Sequence, residues 1–226
     1  RYTFESFIQG ESNKFAKTIG LAVAENPGAM YNPLFIYGNS GLGKTHLMHA
    51  IGNYITDNSN KKVLYVTSEK FVDDFLSLYR KNDNNFKIVD NFKQKYRNID
   101  VLMIDDIQYL EIASKTQQEF FNTFNELHTN NKQIIISSDR SPDDLKKLEE
   151  RLRTRFNWGL TIDILPPDFE LRKAILNKKI EAQGINSFVP EEVKEYIASN
   201  CTTDIRKLEG ALTRVFAYAT IMNGSE

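Results

Sequence analysis

Short apolar, β-branched runs alternate with amphipathic stretches along the first two thirds of the chain. That is the pattern of a parallel sheet covered by helices. The runs Pro33–Tyr37, Lys62–Thr67, Val101–Asp105, Gln133–Ser137 and Leu160–Ile164 predict five strands, several apolar almost throughout, as strands buried on both faces are. Helices are predicted over Lys44–Ile55, Glu69–Arg80, Asn85–Tyr96 and Thr116–Thr129. Asn82-Asp83-Asn84-Asn85 reads as an exposed loop. Pro166-Pro167 ends the alternation, because consecutive prolines continue neither a helix nor a central strand. Beyond it the spacing predicts helices over Phe169–Gln183, Pro190–Ser199 and Asp204–Met222. In the last of these, Ile205, Leu208, Leu212, Val215 and Ala219 recur at helical intervals. The reading is an α/β domain over residues 1–165 and a small all-helical domain over 166–226.

The first strand runs into Gly38-Asn39-Ser40-Gly41-Leu42-Gly43-Lys44-Thr45, which fits the phosphate-loop pattern G-x-x-x-x-G-K-[ST]. Glycines let such a loop turn its N–H groups inward onto phosphate oxygens, and the positive end of the next helix adds to the anion site. Lys44 would reach the β- and γ-phosphates and Thr45 would hold Mg²⁺. A strand before, a helix after and the extra Gly41 set this octet apart from a chance glycine-rich turn. A nucleoside triphosphate is the expected ligand.

Val101–Asp105 ends in a second carboxylate, Asp106. Parallel sheets bind ligands at the carboxyl ends of their strands, so Asp105 is placed to hold the Mg²⁺ shell and Asp106 to polarise a water. Asp-Asp also commonly turns a chain at a strand end. Many phosphate-loop motors carry Glu at the second position. The shorter Asp106 would hold its carboxylate farther from an in-line water, and about 1 Å of misplacement can cost ~10²-fold in rate. Slow hydrolysis follows, suited to a switch. Asp139, after Gln133–Ser137, is placed to sense the γ-phosphate or orient the water, or simply to form a turn before Ser141-Pro142. Arg151, Arg153 and Arg155 offer planar forks for phosphate charge, or a basic helix end that suits the dipole. Arg206 stands in the first turn of the last predicted helix, where a cation is unfavourable, which suggests a task across the nucleotide.

Composition narrows the field. With 226 residues, 41% hydrophobic and 26% charged, the chain is that of an ordinary globular protein. A net charge of −1 excludes nucleic-acid binding by overall charge, so any such contact is local. The single Cys201 forms no internal disulfide, which fits a reducing cytosol and a cytoplasmic location. No apolar stretch approaches a membrane span and no signal peptide opens the chain. Because it begins at Arg1, the chain is expected to be a fragment of a longer protein. His46 and His49 lie three apart on a predicted helix without an evident third ligand, so packing is favoured over zinc.

Together these stretches resemble the AAA+ ATPases and, more narrowly, the bacterial chromosomal replication initiators of the DnaA family. The resemblance is carried by Tyr2–Phe7, Gly41–Ala50, Ile104-Asp105-Asp106-Ile107-Gln108, Ser137–Arg140, Arg151–Phe156 and Arg206–Leu212, in family order from end to end. It implies a phosphate-loop fold with a five-stranded parallel sheet and a helical lid, bound to ATP or ADP with Mg²⁺. Phe7, Ile8, Asn13 and His46 then belong with Asn39, Ser40, Gly41, Leu42, Gly43, Lys44, Thr45 and Arg206 at the nucleotide. Asp139 becomes the first sensor and Arg206 the second. Arg155 becomes the finger on a neighbouring subunit's γ-phosphate, and Arg151 an interface residue. The segment from about 68 to 97 resembles the initiator-specific insertion. Leu76 on it and Lys115 match single-strand DNA contacts, apolar packing plus a cation being reasonable physics for a strand without base readout. Phe71, Phe75 and Leu78 have core spacing instead, and Lys93, Lys95 and Arg97 suit a solvated face. The resemblance further implies a weak ATPase used as an off-switch. ATP-dependent self-association into a filament at origin DNA, duplex opening, and contacts with a helicase or its loader through flanking domains come with it. So do acidic-lipid contact in the full-length protein and a bacterial, nucleoid-associated setting. A helicase loader, or a regulator that binds the initiator, shares many of these motifs and is the alternative.

Overall fold

The computed structural model describes residues 1–80, 86–184 and 189–223. Helix α1 (Lys14–Glu25) precedes β1 (Leu34–Tyr37), α2 (Lys44–Asn58), β2 (Val63–Thr67), α3 (Ser68–Arg80), α4 (Phe86–Arg97) and β3 (Val101–Asp105). Then come α5 (Ser114–Thr129), β4 (Gln133–Ser138), α6 (Glu150–Phe156) and β5 (Leu160–Asp163), followed by α7 (Phe169–Ala182), α8 (Glu191–Asn200) and α9 (Ile205–Asn223). Short 3₁₀ segments fill Ile107–Ile112 and Pro142–Asp144. The expected loop Asn82–Asn85, and the first residue of the helix predicted from Asn85, lie outside the described residues.

The sheet has the order β2-β3-β4-β1-β5 and every pairing is parallel. Register puts the functional ends level: Tyr37 pairs with Ser138 and with Asp163, and Thr67 pairs with Asp105. The segments carrying Lys44, Asp106 and Asp139 therefore all leave the carboxyl edge of three adjacent strands. The central strands β3 and β4 are buried along their whole length, which explains their unbroken apolar runs.

Each face of the sheet has its own core. One contains Phe35, Leu102, Ile104 and Ile136 with Phe71, Phe120, Phe124 and Phe156; the other contains Leu34, Ile36, Met103 and Ile135 with Leu47, Met48 and Ile51. A third cluster joins α7, α8 and α9 through Leu171, Ile175, Leu176, Ile180, Ile197, Leu208 and Leu212, with Ile8 packed against it. Ala219, which shares the helical spacing of Leu208 and Leu212, is exposed. Just past Pro166-Pro167, Asp168 caps α7 by accepting from the Leu171 N–H at 2.8 Å.

The pair α3–α4 is an aromatic mini-core. Phe71 and Tyr96 are fully buried, with Phe92 and Phe75 close behind, and the Phe71–Tyr96 and Phe92–Tyr96 centroids lie 4.8 and 4.9 Å apart. The Tyr96 hydroxyl donates to Asp74 at 2.6 Å, and Lys95 and Lys70 pair with the same carboxylate. Arg97 pairs with Glu119 and Glu126. Lys95 and Arg97 are therefore consumed in ion pairs within the fold.

Candidate nucleotide-binding site

The loop after β1 needs its glycines. Gly41 and Gly43 have φ of +77° and +96°, in the left-handed region that side chains disfavour. Gly43 caps α2, so the amino end of that helix opens into the loop. Lys44 is only 7% exposed and folds back over the loop, donating to the carbonyl oxygens of Gly38 and Asn39 at 2.5 and 2.8 Å. Burial pushes its ammonium down, opposed by the charges of Asp106, Asp105 and Asp139, while Arg206 adds to the downward push. That last influence places Arg206, exposed on the second residue of α9, within electrostatic reach of the loop.

Thr45 donates its hydroxyl to Asp105 Oδ2 at 2.9 Å. Hydroxyl and carboxylate thus stand side by side, the donor set that an octahedral, oxygen-seeking Mg²⁺ takes when it is shared with phosphates. Two residues on the neighbouring strands fix Asp105. Tyr65 on β2 donates to Oδ2 at 2.6 Å, and Ser137 on β4 donates to Oδ1. Ser137 Oγ also accepts from the Asp106 N–H at 2.8 Å, and Ser68 donates to the Asp106 carbonyl at 2.5 Å. These bonds hold Asp106 at φ 57°, ψ 55°, a left-handed conformation that Asp tolerates better than most residues. Burial, and then the neighbouring Asp105, push the Asp106 carboxyl up. Gln108 bridges the strand ends, donating to Asp106 Oδ1 and accepting from the Asp139 N–H, both at 3.3 Å. The Asp139 carboxylate itself is paired with Arg140. In sequence, Tyr65 reads as one residue of an apolar strand; only the pairing of β2 beside β3 gives it a partner.

The amino-terminal segment wraps this loop. Phe7 is buried against Gly43, and its ring lies 5.3 Å from that of His46. His46 Nε2 lies 3.0 Å from Ser6 Oγ and 3.3 Å from the Thr3 carbonyl, and burial pushes the imidazole down. Asn13 is also buried, but its amide is spent within the segment, accepting from Gly10 N–H and donating to the Ile8 carbonyl. His49 packs between Tyr2 and Tyr65. Among the described residues no group of three or more His, Cys, Asp or Glu is placed to hold a metal ion.

Two further groups lie apart from the loop. Leu76 and Lys115 line one open cavity of about 440 Å³ between α3 and the start of α5, shared with Tyr109 and Ile112, while Phe71 and Phe75 point into the core. Arg151 and Arg155 lie on α6, one turn apart.

A family description for the bacterial DnaA ATPase domain matches residues 1–163. The chain belongs to the DnaA ATPase family. Domain III of the Thermotoga maritima replication initiation protein DnaA is 44% identical, with a TM-score of 0.90 over 100% of this chain and 91% of that one. AMPPCP-bound DnaA from Aquifex aeolicus is 36% identical with a TM-score of 0.84, and a replication initiator DnaA bound to AMPPCP and single-stranded DNA is 35% identical with a TM-score of 0.85. Both are covered over 95% of this chain but only 64% of theirs, so this chain spans less than two thirds of those DnaA chains. Likeness to the Thermotoga maritima RuvB and to a DnaC helicase loader, each at 17% identity, is a likeness of fold alone. Fold and family are thus those of the DnaA ATPase domain. Among the described residues no helix is long and apolar enough to cross a membrane.

Proposed function

We propose that this chain is the ATP switch of a replication initiator. ATP would lie along Asn39, Ser40, Gly41, Leu42, Gly43, Lys44, Thr45 and His46 with its base toward Phe7, Ile8 and Asn13. The observation that carries this reading is the convergence of Lys44, Thr45, Asp105, Asp106 and Asp139 on one edge of the sheet, with α9 packed over the loop through Ile205 N–H to the Gly41 carbonyl at 3.0 Å. Thr45 and Asp105 would hold Mg²⁺, which would supply neutralising charge to the phosphates. Lys44 exchanges its two carbonyl partners for phosphate oxygens. Asp106, its proton affinity raised, orients the attacking water and takes its proton, and Asp139 fixes the far side of that water. Arg206 reads the triphosphate in cis from the lid, and Arg155, with Arg151 beside it, reads a neighbour's in trans.

ATP then favours a filament of stacked subunits at the origin, and slow hydrolysis ends it. Leu76 and Lys115, brought to one cavity, receive the displaced single strand. Duplex opening, helicase recruitment and any acidic-lipid contact belong to the complete protein, which acts in the bacterial cytoplasm at the nucleoid. The experiment is ATP-dependent strand separation of origin DNA by the complete protein and by its Lys44→Ala variant. Loss of opening together with ATP affinity, in a variant that keeps its circular dichroism, is the expected outcome. Opening that survives without ATP binding would refute the switch.

A further inference from the structure

Arg155 is held in an unusual way for a cation. Its guanidinium lies over two aromatic rings, 4.4 Å from the centroid of Phe121 and 4.7 Å from that of Trp158. Its Nε donates to the neutral amide oxygen of Asn125 at 2.6 Å. Beyond these, Nη1 makes only a long 3.4 Å contact with the Arg151 carbonyl. Among the described residues no ion pair includes Arg155, whereas Arg151, one turn earlier, pairs with Glu149 at 2.5 Å. Phe121 serves both, since the Arg151 guanidinium lies 4.1 Å from its centroid.

The arrangement follows from two matched spacings. Phe121 and Asn125 stand four apart on α5, and Arg151 and Arg155 stand four apart on α6, so each pair shares one helix face. Two facing helices then meet ring to guanidinium and amide to Nε. Packing Phe121 against the aromatic core, near Phe120 and Phe124, fixes the ring from behind. Trp158, half exposed two residues after α6, closes the other side from the surface.

The chemistry is selective. A carboxylate would also fix an arginine, but it would neutralise the charge and occupy the fork that a phosphate needs. Ring faces and an amide oxygen restrain the same group while leaving its full charge and its Nη edge available. We propose that Phe121, Asn125 and Trp158 form a neutral clamp that pre-positions Arg155 for the triphosphate of a second copy of this chain. The clamp rests on the trans reading of Arg155 given above. Its three members are positioning residues; they act through Arg155 and touch no nucleotide.

The test uses the complete protein, with ATP affinity measured on dilute subunits and ATP-dependent assembly measured by sedimentation. Phe121→Leu is expected to weaken assembly by roughly tenfold and the more exposed Trp158→Leu by roughly threefold, the factors matching a desolvated and an exposed cation–π contact, and both to leave dilute ATP affinity unchanged. Trp158 is at the surface, so its variant folds even if Phe121→Leu does not. Phe121→Tyr, which keeps the ring face, restores assembly. Asn125→Asp is the discriminating variant. It grips Arg155 harder and preserves stability, yet it cancels the charge and should abolish assembly. Mixing completes the scheme, because a clamp variant still accepts a finger from a wild-type neighbour but fails to donate one. Normal assembly of Asn125→Asp and Trp158→Leu beside a failed Arg155→Ala would overturn the clamp and leave the trans finger standing. Normal assembly of Arg155→Ala would remove the trans reading and the clamp with it. Loss of dilute ATP affinity in Trp158→Leu would also overturn the clamp.

Discussion

The carboxylate of Asp204 occupies the space where a side chain at Gly41 would have to go: a Cβ built on Gly41 overlaps it. The same junction carries the Ile205 N–H to Gly41 carbonyl bond at 3.0 Å, and Asp204 Oδ1 accepts from the Arg206 N–H at 2.6 Å. One short segment therefore starts α9, seats the lid on the phosphate loop and sets the direction in which Arg206 leaves. Gly41→Ala should unseat the lid, adding that overlap to the ~1–2 kcal/mol cost of a left-handed φ in a side-chain-bearing residue. Pairing it with Asp204→Ala gives a double-mutant cycle. Because the overlap exists only when both side chains are present, the double variant should recover at least ~0.5 kcal/mol relative to additivity. Denaturant titration of the four proteins measures this. Strict additivity would mean that the lid does not rest on Gly41.

Much of the fold and of the candidate site is legible in the sequence, and some is not. β3 and β4 announce themselves because strands buried on both faces cannot afford polar interruptions, and the octet Gly38–Thr45 announces itself because few sequences permit that turn. Helix α1 is not among the predicted elements, although Ala16, Ile19 and Val23 line its buried side and Asn26-Pro27-Gly28 marks a turn just after it. Helix α6 reads in the sequence as an arginine-rich stretch or a basic helix end without bounds, because seven residues show less than two full turns of period. The partners Tyr65 and Ser137 of Asp105, and Phe121 and Asn125 of Arg155, are separated from them by 30 residues or more. No local pattern encodes such pairs; sheet order and helix packing do.

Asp106 yields a prediction about rate. Its left-handed backbone is fixed by Ser137 and Ser68 rather than by its own side chain, so the carboxylate is exchangeable without collapse of the strand end. Turnover by this chain should fall far below the ~10 s⁻¹ typical of enzymes. Asn, which also tolerates a left-handed φ, is the appropriate replacement; Asp106→Asn should lower hydrolysis a further ~10²-fold while ATP affinity holds. Single-turnover hydrolysis at saturating Mg²⁺ reads both. A variant that hydrolyses as fast as the parent would exclude Asp106 as the base.

Asp74 yields a prediction about pH. Burial raises its pKa, but hydrogen bonds from Lys95, Tyr96 and Lys70 outweigh burial and hold the carboxyl below its ordinary range. A carboxylate depressed in this way stabilises the fold above its unfolded pKa of about 3.9, and that stability disappears as pH falls through the lowered folded value. Asp74→Asn should therefore cost about 1–2 kcal/mol at pH 7, the scale of hydrogen bonds to a charged group. Near pH 3 and below, the gap between variant and parent should narrow. Calorimetry at the two pH values decides it, and an equal gap at both would show that the charge is not what holds α3 to α4.

Arg206 and Arg155 should separate by concentration. Arg206 sits on the lid of the same chain, close enough for its charge to weigh on Lys44, and the lid is bonded directly to the loop. Its influence is therefore expected to be intramolecular. Arg206→Ala should change ATP affinity or hydrolysis by about tenfold, the scale of one charge-assisted hydrogen bond, and the change should be the same at every protein concentration. Arg155 is fixed on α6 by Phe121, Asn125 and Trp158, none of which lines the phosphate loop. Arg155→Ala should keep the ATP affinity of dilute subunits and lose assembly and strand opening. Nucleotide titrations repeated across a hundredfold dilution series distinguish the two. If the Arg206→Ala defect vanished on dilution, the lid would be acting between subunits; if Arg155→Ala weakened ATP binding in the most dilute sample, the finger would be acting within one.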